Sequence, residues 1–356
     1  MFTKIDRYIA VHILSAIAVV MLVIVGLMGL SLFLEELDEV NNFYTLNDAT
    51  RYVLLSLPSL AYQLLPLSSL VGTLVGMGVL ASSSELTIMR ASGLSMSRLI
   101  AAVTKPILAI AILALVSSQF GVPDAQQAAR STKAIAKTQS GKTLNSEGGW
   151  YKQGSEYVLV SAISSKGDVF GITRYQFDDD LRLLETSYAR QGRYLEDRSG
   201  WVLSDVSGMR RYDNKVEPIV LESQFWPSDL TPDMLTVILI PPMDLPISGL
   251  HDYSGYLGKQ GVDATPYQLA LWTKLLQPLS IIGLVLIGTA FVFGPLRGVT
   301  VGQRIVSGVV VGLAFKFSQD LLAPASQVLG FSPLMAALTP ILISFIIAFW
   351  LLARVR

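Results

Sequence analysis

Six apolar runs, three before a long polar insert and three after it, constrain this chain more than any other feature. They are Ile9–Leu34, Tyr52–Leu80, Leu99–Val122, Tyr267–Phe293, Ile305–Leu322 and Pro333–Leu352. A helix needs about 20 apolar residues, within a range of about 17–25, to cross a bilayer, and each run meets that length. The composition agrees: 51% of the 356 residues are hydrophobic and 15% are charged, against about 25% charged in a soluble domain. The first run is too long for the core of a signal peptide, and no small-residue cleavage site closes it.

The flanking charges orient the spans. Lys4 and Arg7 precede the first run and Glu35, Glu36, Asp38 and Glu39 follow it. Arg90 and Arg98 lie between the second and third runs, Arg297 and Arg304 between the fourth and fifth, and Arg354 and Arg356 end the chain. Basic flanks mark the cytoplasmic side, so both termini and these two turns are expected inside, and the insert outside. Pro58 and Pro66 should kink the second span. The glycines Gly72, Gly76 and Gly78 there, and Gly308 and Gly312 in the fifth span, read as close helix packing.

Across the insert the texture changes. Asp124–Lys137 is polar and Ala-rich and reads as a helical stalk leading out of the membrane. Short β-type segments then alternate with turn residues: Trp150–Lys152, Glu156–Ile163, Val169–Phe177, Thr186–Leu195, Trp201–Val206, Met209–Tyr212 and Ile219–Trp226. Such punctuation predicts a sandwich or barrel rather than parallel βαβ units. Pro241-Pro242 and Ile247–Leu257 form a connector. The expected organisation is residues 1–123 for spans one to three, 124–265 for stalk, β domain and connector, and 266–356 for spans four to six. The fold class is therefore a polytopic α-helical membrane protein, six transmembrane helices as three plus three, with an inserted extracytoplasmic all-β domain.

Candidate chemistry is sparse. Twenty-seven basic and 27 acidic residues leave the chain formally neutral, which gives no basic excess for nucleic acid. The absence of Cys excludes disulfides, thiol catalysis and Cys-based metal sites. His12 and His251 lack ligand spacing, so no metal site is expected. Ser140-Gly-Lys-Thr143 resembles half a nucleotide-binding P-loop, but Ala136 stands where the motif needs Gly. No catalytic residue and no cofactor is expected in this chain.

Three groups remain. Ser82–Arg98, with Glu85, Arg90 and Arg98 and with Leu86, Met89 and Leu94 near helical spacing, reads either as an amphipathic helix on the membrane face or as a handle for a partner. Physics alone favours the first. Lys316 and Asp320 lie four apart within the fifth span, either as an internal ion pair or as a polar patch on a substrate or ion path. Arg130 and Lys133 on the stalk are either solvated charges or cations for a lipid headgroup.

The chain resembles the lipopolysaccharide-export permease family LptF/LptG of Gram-negative bacteria, its LptG branch more closely. The resemblance is carried by DRYI (Asp6–Ile9), SELTIMRASG (Ser84–Gly93), SGLHDY (Ser248–Tyr253) and FGPLR (Phe293–Arg297), at corresponding places in the topology. It implies a β-jellyroll-like insert and a permease subunit of an ATP-driven ABC exporter in the inner membrane. The implied partners are an LptB-like ATPase dimer carrying ATP and Mg, an LptF-like permease, an LptC-like single-span protein with a periplasmic β domain, and lipopolysaccharide itself. It implies that the short helix near 82–98 sits in a groove of the ATPase, with Glu85 its acidic residue and Leu86, Met89, Arg90 and Gly93 around it. It also favours Arg130 and Lys133 as headgroup cations, because Ser31–Val40, where family members carry basic residues, is apolar and then acidic here. The rival readings are an ion-coupled secondary lipid transporter using Lys316 and Asp320, and a non-transporting membrane scaffold.

Overall fold

A computed structural model describes residues 4–138, 149–164, 167–178, 180, 182–212, 215–259, 263–294 and 298–354. The Ser140–Thr143 fragment, Pro295–Arg297 of the FGPLR run, Asp213-Asn214 and Arg356 lie outside the described residues. Among the described residues six helices are long and apolar enough to cross a membrane: α1 (Lys4–Leu37), α2 (Leu46–Ser82), α4 (Met96–Gln119), α8 (Thr265–Phe293), α9 (Val301–Leu329) and α10 (Pro333–Arg354). Between α2 and α4 lies the seven-residue α3 (Glu85–Ala91). The stalk is α5 (Val122–Thr138), and α6 (Pro232–Leu239) and α7 (Ile247–Lys259) follow the β domain. The chain divides into two compact units, Met1–Met28 with Ser59–Val122 and Pro246–Arg356, and Gly29–Pro58 with Pro123–Leu245.

In the first unit the core is built from one stripe of each helix. Ile9, Ile13 and Ile17 of α1 meet Leu70, Leu74 and Met77 of α2, Leu99, Val103 and Ile107 of α4, and Ile281, Leu284 and Val285 of α8. The span window of α8 is 67% buried, whereas those of α1 and α9 are each 11% buried. Thus α8 is the helix the others wrap, and α1 and α9 keep most of their surface uncovered by this chain. The glycines do the work expected of them, each against a different neighbour. A Cβ on Gly72 would stand 2.5 Å from the Ile17 Cα, and one on Gly76 would stand 2.9 Å from the His12 carbonyl. Gly308 faces Leu74 and Gly312 faces Leu67 at similarly close quarters.

Helix α2 runs through Pro58 and Pro66 without interruption. Pro66 has no N–H, so the Tyr62 carbonyl one turn back loses its helical partner. Gln277 of α8 donates to that carbonyl at 2.8 Å, within the buried core. An unpaired backbone group at membrane depth costs several kcal/mol, so this single side chain is what makes the proline tolerable.

In the second unit six strands form one antiparallel sheet in chain order: β1 (Gly149–Gln153), β2 (Glu156–Ile163), β3 (Val169–Phe177), β4 (Leu183–Leu195), β5 (Gly200–Tyr212) and β6 (Lys215–Pro227). Each strand pairs with its sequence neighbours, from Trp150 opposite Leu159 to Trp201 opposite Trp226. The all-β insert is present between the third and fourth spans, and a second packed sheet is not among the described strands. The segments Trp201–Val206 and Met209–Tyr212 are one strand. Gly208 sits between them because a Cβ there would collide with the Thr186 carbonyl of β4, so the glycine marks close backbone approach rather than a turn. Trp201 is fully buried and anchors the sheet to the following segment by donating to the Leu230 carbonyl at 2.7 Å. On β1 to β3, Trp150, Tyr157, Tyr175 and Phe177 line a cavity of about 470 Å³.

Candidate functional site

The stretch from Ser82 to Arg98 folds as a short helix with built stops. Ser84 takes φ 63 ahead of α3. At the other end Gly93 lies at φ 93, its N–H donates to the Arg90 carbonyl at 3.0 Å, and the Leu94 N–H donates to the Met89 carbonyl at 3.2 Å. That pair of bonds is a Schellman stop, which favours glycine at the left-handed position. Gly93 is thus needed to end α3 where it does. Leu86 is buried and Met89 packs half-buried against the bundle core, so these two are the foot of α3. Ile88, which the sequence did not single out, is 65% exposed, and Arg90 is exposed as well.

Glu85 opens α3. The Tyr8 hydroxyl of α1 donates to its Oε2 at 2.7 Å and the Ser83 hydroxyl to its Oε1 at 3.0 Å. The Tyr8 bond first, then Ser83, holds the Glu85 carboxyl below the usual glutamate range, so it stays charged at neutral pH. Two residues before Tyr8 on α1, buried Asp6 takes Lys105 of α4 at 2.8 Å and Arg98 at 3.6 Å. The last turn of α2 is held too. Arg304 of α9, also buried, donates through Nη1 to the Gly78 carbonyl at 2.7 Å. A Cβ on residue 78 would stand 2.6 Å from that nitrogen, so glycine makes the room. The cation also suits the negative end of the helix dipole. Asp6, Tyr8 and Arg304 were quoted in the sequence as parts of motifs or flanks and given no role.

Both stalk cations are paired with carboxylates, Lys133 largely buried and Arg130 partly exposed. Lys133 donates to Glu36 Oε1 at 2.6 Å, pairs with Glu39 at 3.1 Å, and lies 4.9 Å from the centre of the Tyr52 ring. Burial pulls the Lys133 pKa down, but the hydrogen bonds to Glu36 and Glu39 outweigh it and the net shift is upward. Tyr44, fully buried, donates to the other Glu36 oxygen at 2.7 Å. Burial, with the Glu36 contact second, raises the Tyr44 hydroxyl well above the usual tyrosine range. Arg130 pairs with Asp244 at 2.7 Å. The acidic residues at the end of the first run are therefore partly neutralised by the very lysine expected to hold an anion.

Lys316 and Asp320 pair with each other at 3.1 Å on α9, with about half of each side chain exposed. Within their unit, among the described residues, no hydrogen bond or ion pair joins them to the α3 group. The buried Lys274 of α8, within the fourth span, was passed over in the sequence.

Six candidate spans among the described residues, an inserted β domain and a short surface helix pinned between the second and third spans define a polytopic membrane protein. Residues 7–354 match the family described as Lipopolysaccharide export system permease LptF/LptG. The chain is 33% identical over 355 residues, 99% of each sequence, to the Lipopolysaccharide export system permease protein LptG of Escherichia coli. It is 33% identical over 358 residues, the full length of both, to the protein of that name from Haemophilus influenzae. The chain belongs to the LptF/LptG family.

Proposed function

We propose that this chain is the permease subunit of an ATP-driven exporter that takes lipopolysaccharide from the outer leaflet of the inner membrane and passes it to a periplasmic bridge. The observation that carries the reading is α3: a helix planted by Leu86 and Met89, presenting Glu85, Ile88 and Arg90 outward, in a member of this family. Such a surface suits the groove of a cytoplasmic LptB-like ATPase, with ATP and Mg on that subunit. The uncovered faces of α1 and α9 suit an LptF-like permease beside them. In this arrangement both termini are cytoplasmic, and the β domain lies in the periplasm against an LptC-like partner. The test is purification of the full-length chain from its native membrane in mild detergent. An ATPase subunit should accompany it, and lipid release should require ATP. A chain that purifies without an ATPase and moves lipid in response to a proton or sodium gradient would instead support ion coupling through Lys316 and Asp320.

The aromatic cavity on β1 to β3 is assigned to the acyl chains, because its four lining side chains are all aromatic, Trp150 stacked on Tyr175 at 5.9 Å and Tyr157 edge-on to Phe177 at 5.6 Å. A photo-crosslinking residue in place of Tyr175 should capture lipopolysaccharide during ATP turnover. No adduct, with export intact, would make this face purely structural.

For the headgroup, Arg130 keeps guanidinium donors beyond its Asp244 contact, whereas Lys133, held by Glu36 and Glu39, serves phosphate best by giving up one of them. Lys133→Met would leave Glu36 buried with one donor fewer, and removing one partner of a buried pair costs about 3–5 kcal/mol. Adding Glu36→Gln should recover most of that stability. If Lys133 also holds phosphate, the double variant will be stable yet yield less bound lipopolysaccharide. A stable double variant with wild-type lipid yield and export would confine Lys133 to its structural pair.

A further inference from the structure

Helix α3 has seven residues, and a helix that short has no stability of its own. Its shape and aim come from what holds it. On one side Leu86 and Met89 enter the bundle core. On the other, its leading residue is gripped by a different span: Tyr8 Oη to Glu85 Oε2, 2.7 Å, across 77 residues of sequence. The Tyr8 ring is itself seated, with its centroid 4.3 Å from that of His12 and its carbonyl 3.0 Å from His12 Nδ1. The same end of α1 is tied through Asp6 to Lys105 and Arg98, just beyond the α3 stop. Along its length, however, α1 is among the least covered spans in this chain. A span that rests on α2 by the single stripe Ile9, Ile13 and Ile17 and is tied at its end to a docking helix will carry a shift of that helix along its own length.

We infer that Tyr8 is a positioning residue that aims the Glu85 carboxylate at the ATPase and links α3 mechanically to α1. A carboxylate can accept several hydrogen bonds, so Tyr8 and a cation of the ATPase bind Glu85 together rather than in competition. The hydroxyl fixes the rotamer, and the oxygen sites it leaves open face outward. Arg304 at Gly78 holds the end of α2 in the same region, so α9 is tied to the approach to α3 as α1 is.

This inference rests on the reading of α3 as the ATPase-docking helix, and the experiment separates the two. The full-length chain is purified with whatever ATPase accompanies the wild type, and lipid released per ATP hydrolysed is measured in vesicles containing lipopolysaccharide. Tyr8→Phe removes one hydroxyl from a half-exposed site and should leave folding and the β domain intact. Its ATPase recovery should fall by about threefold or less, while lipid released per ATP falls on the order of fivefold or more. Because Tyr8 acts through Glu85, Tyr8→Phe should add nothing to Glu85→Ala. A residue with a merely structural role would instead lower thermal stability and give additive effects. Wild-type coupling in Tyr8→Phe, or full additivity with Glu85→Ala, overturns the role of Tyr8 and leaves the docking helix standing. A wild-type chain that recovers no ATPase overturns both.

Discussion

Glu85→Lys should abolish export while leaving the chain in the membrane with its β domain folded. The substitution reverses the charge that α3 presents. It also removes the acceptor for two donors, since Tyr8 at 2.7 Å and Ser83 at 3.0 Å both point at the carboxylate. An ammonium offers no lone pair to either. Any cation of an ATPase groove that meets Glu85 would then face a like charge, and such juxtapositions weaken association strongly. ATPase recovery with the purified variant is expected to fall on the order of tenfold to hundredfold, with lipid release at background. Limited proteolysis of the β domain and the thermal transition of the purified chain should match the wild type, because Glu85 is no part of the bundle core. Glu85→Gln is the informative companion: it keeps the acceptor for Tyr8 and loses the charge, so it should bind the ATPase weakly while keeping α3 seated. Full complex recovery and normal export in Glu85→Lys would remove α3 from the coupling path.

The spans were legible because hydropathy is a property of the segment. All six runs found in the sequence are helices here; most are extended by a few residues at one or both ends, while the third stops at Gln119, short of the expected Val122. The strands were legible to nearly the same degree, since Glu156–Ile163 and Val169–Phe177 carry their β character and their turns locally. Helix α6 was missed although its start was written plainly: Thr231 accepts from the Met234 N–H, with Pro232 in the first turn, a capping pattern that outranks the β-type residues after it. The site was less legible, for a different reason. Tyr8 finds its partner 77 residues away and Arg304 finds its carbonyl 226 residues away, and nothing local to either residue announces the contact. The stalk shows the same limit. Arg130 and Lys133 share a helix face, as their spacing implied, but their carboxylate partners lie on other elements. An apolar run likewise cannot say which of its faces is covered, so Lys274 went unremarked inside the fourth run and Arg304 was read only as a flanking charge, though both are buried.

Gly72→Ala should be the most damaging single methyl that can be added to the bundle. The new Cβ would stand 2.5 Å from the Cα of Ile17 and 2.8 Å from its nitrogen. Those are backbone atoms, so no rotamer change relieves the clash and α1 itself must shift. Overpacking of this kind costs about 1–3 kcal/mol and sometimes more, here at least the upper half of that range. The series carries its own scale. Gly76→Ala would meet the His12 carbonyl at 2.9 Å and the Ile13 Cα at 3.1 Å, a milder collision with the same helix. Gly26→Ala in α1 meets nothing within 4 Å and exchanges a poor helix former for the best one, so within a helix it should be neutral or stabilising by up to about 1 kcal/mol. Thermal transitions of the purified chain should therefore rank Gly72→Ala below Gly76→Ala, and both below the wild type and Gly26→Ala. Export adds a second consequence. Ile17 is on the same helix as Asp6 and Tyr8, two to three turns further along, so a displaced α1 carries the Tyr8 hydroxyl away from Glu85. Lipid released per ATP should fall in Gly72→Ala even at temperatures where the chain remains folded. A Gly72→Ala chain as stable and as well coupled as Gly26→Ala would show that α1 does not seat against α2 at this glycine.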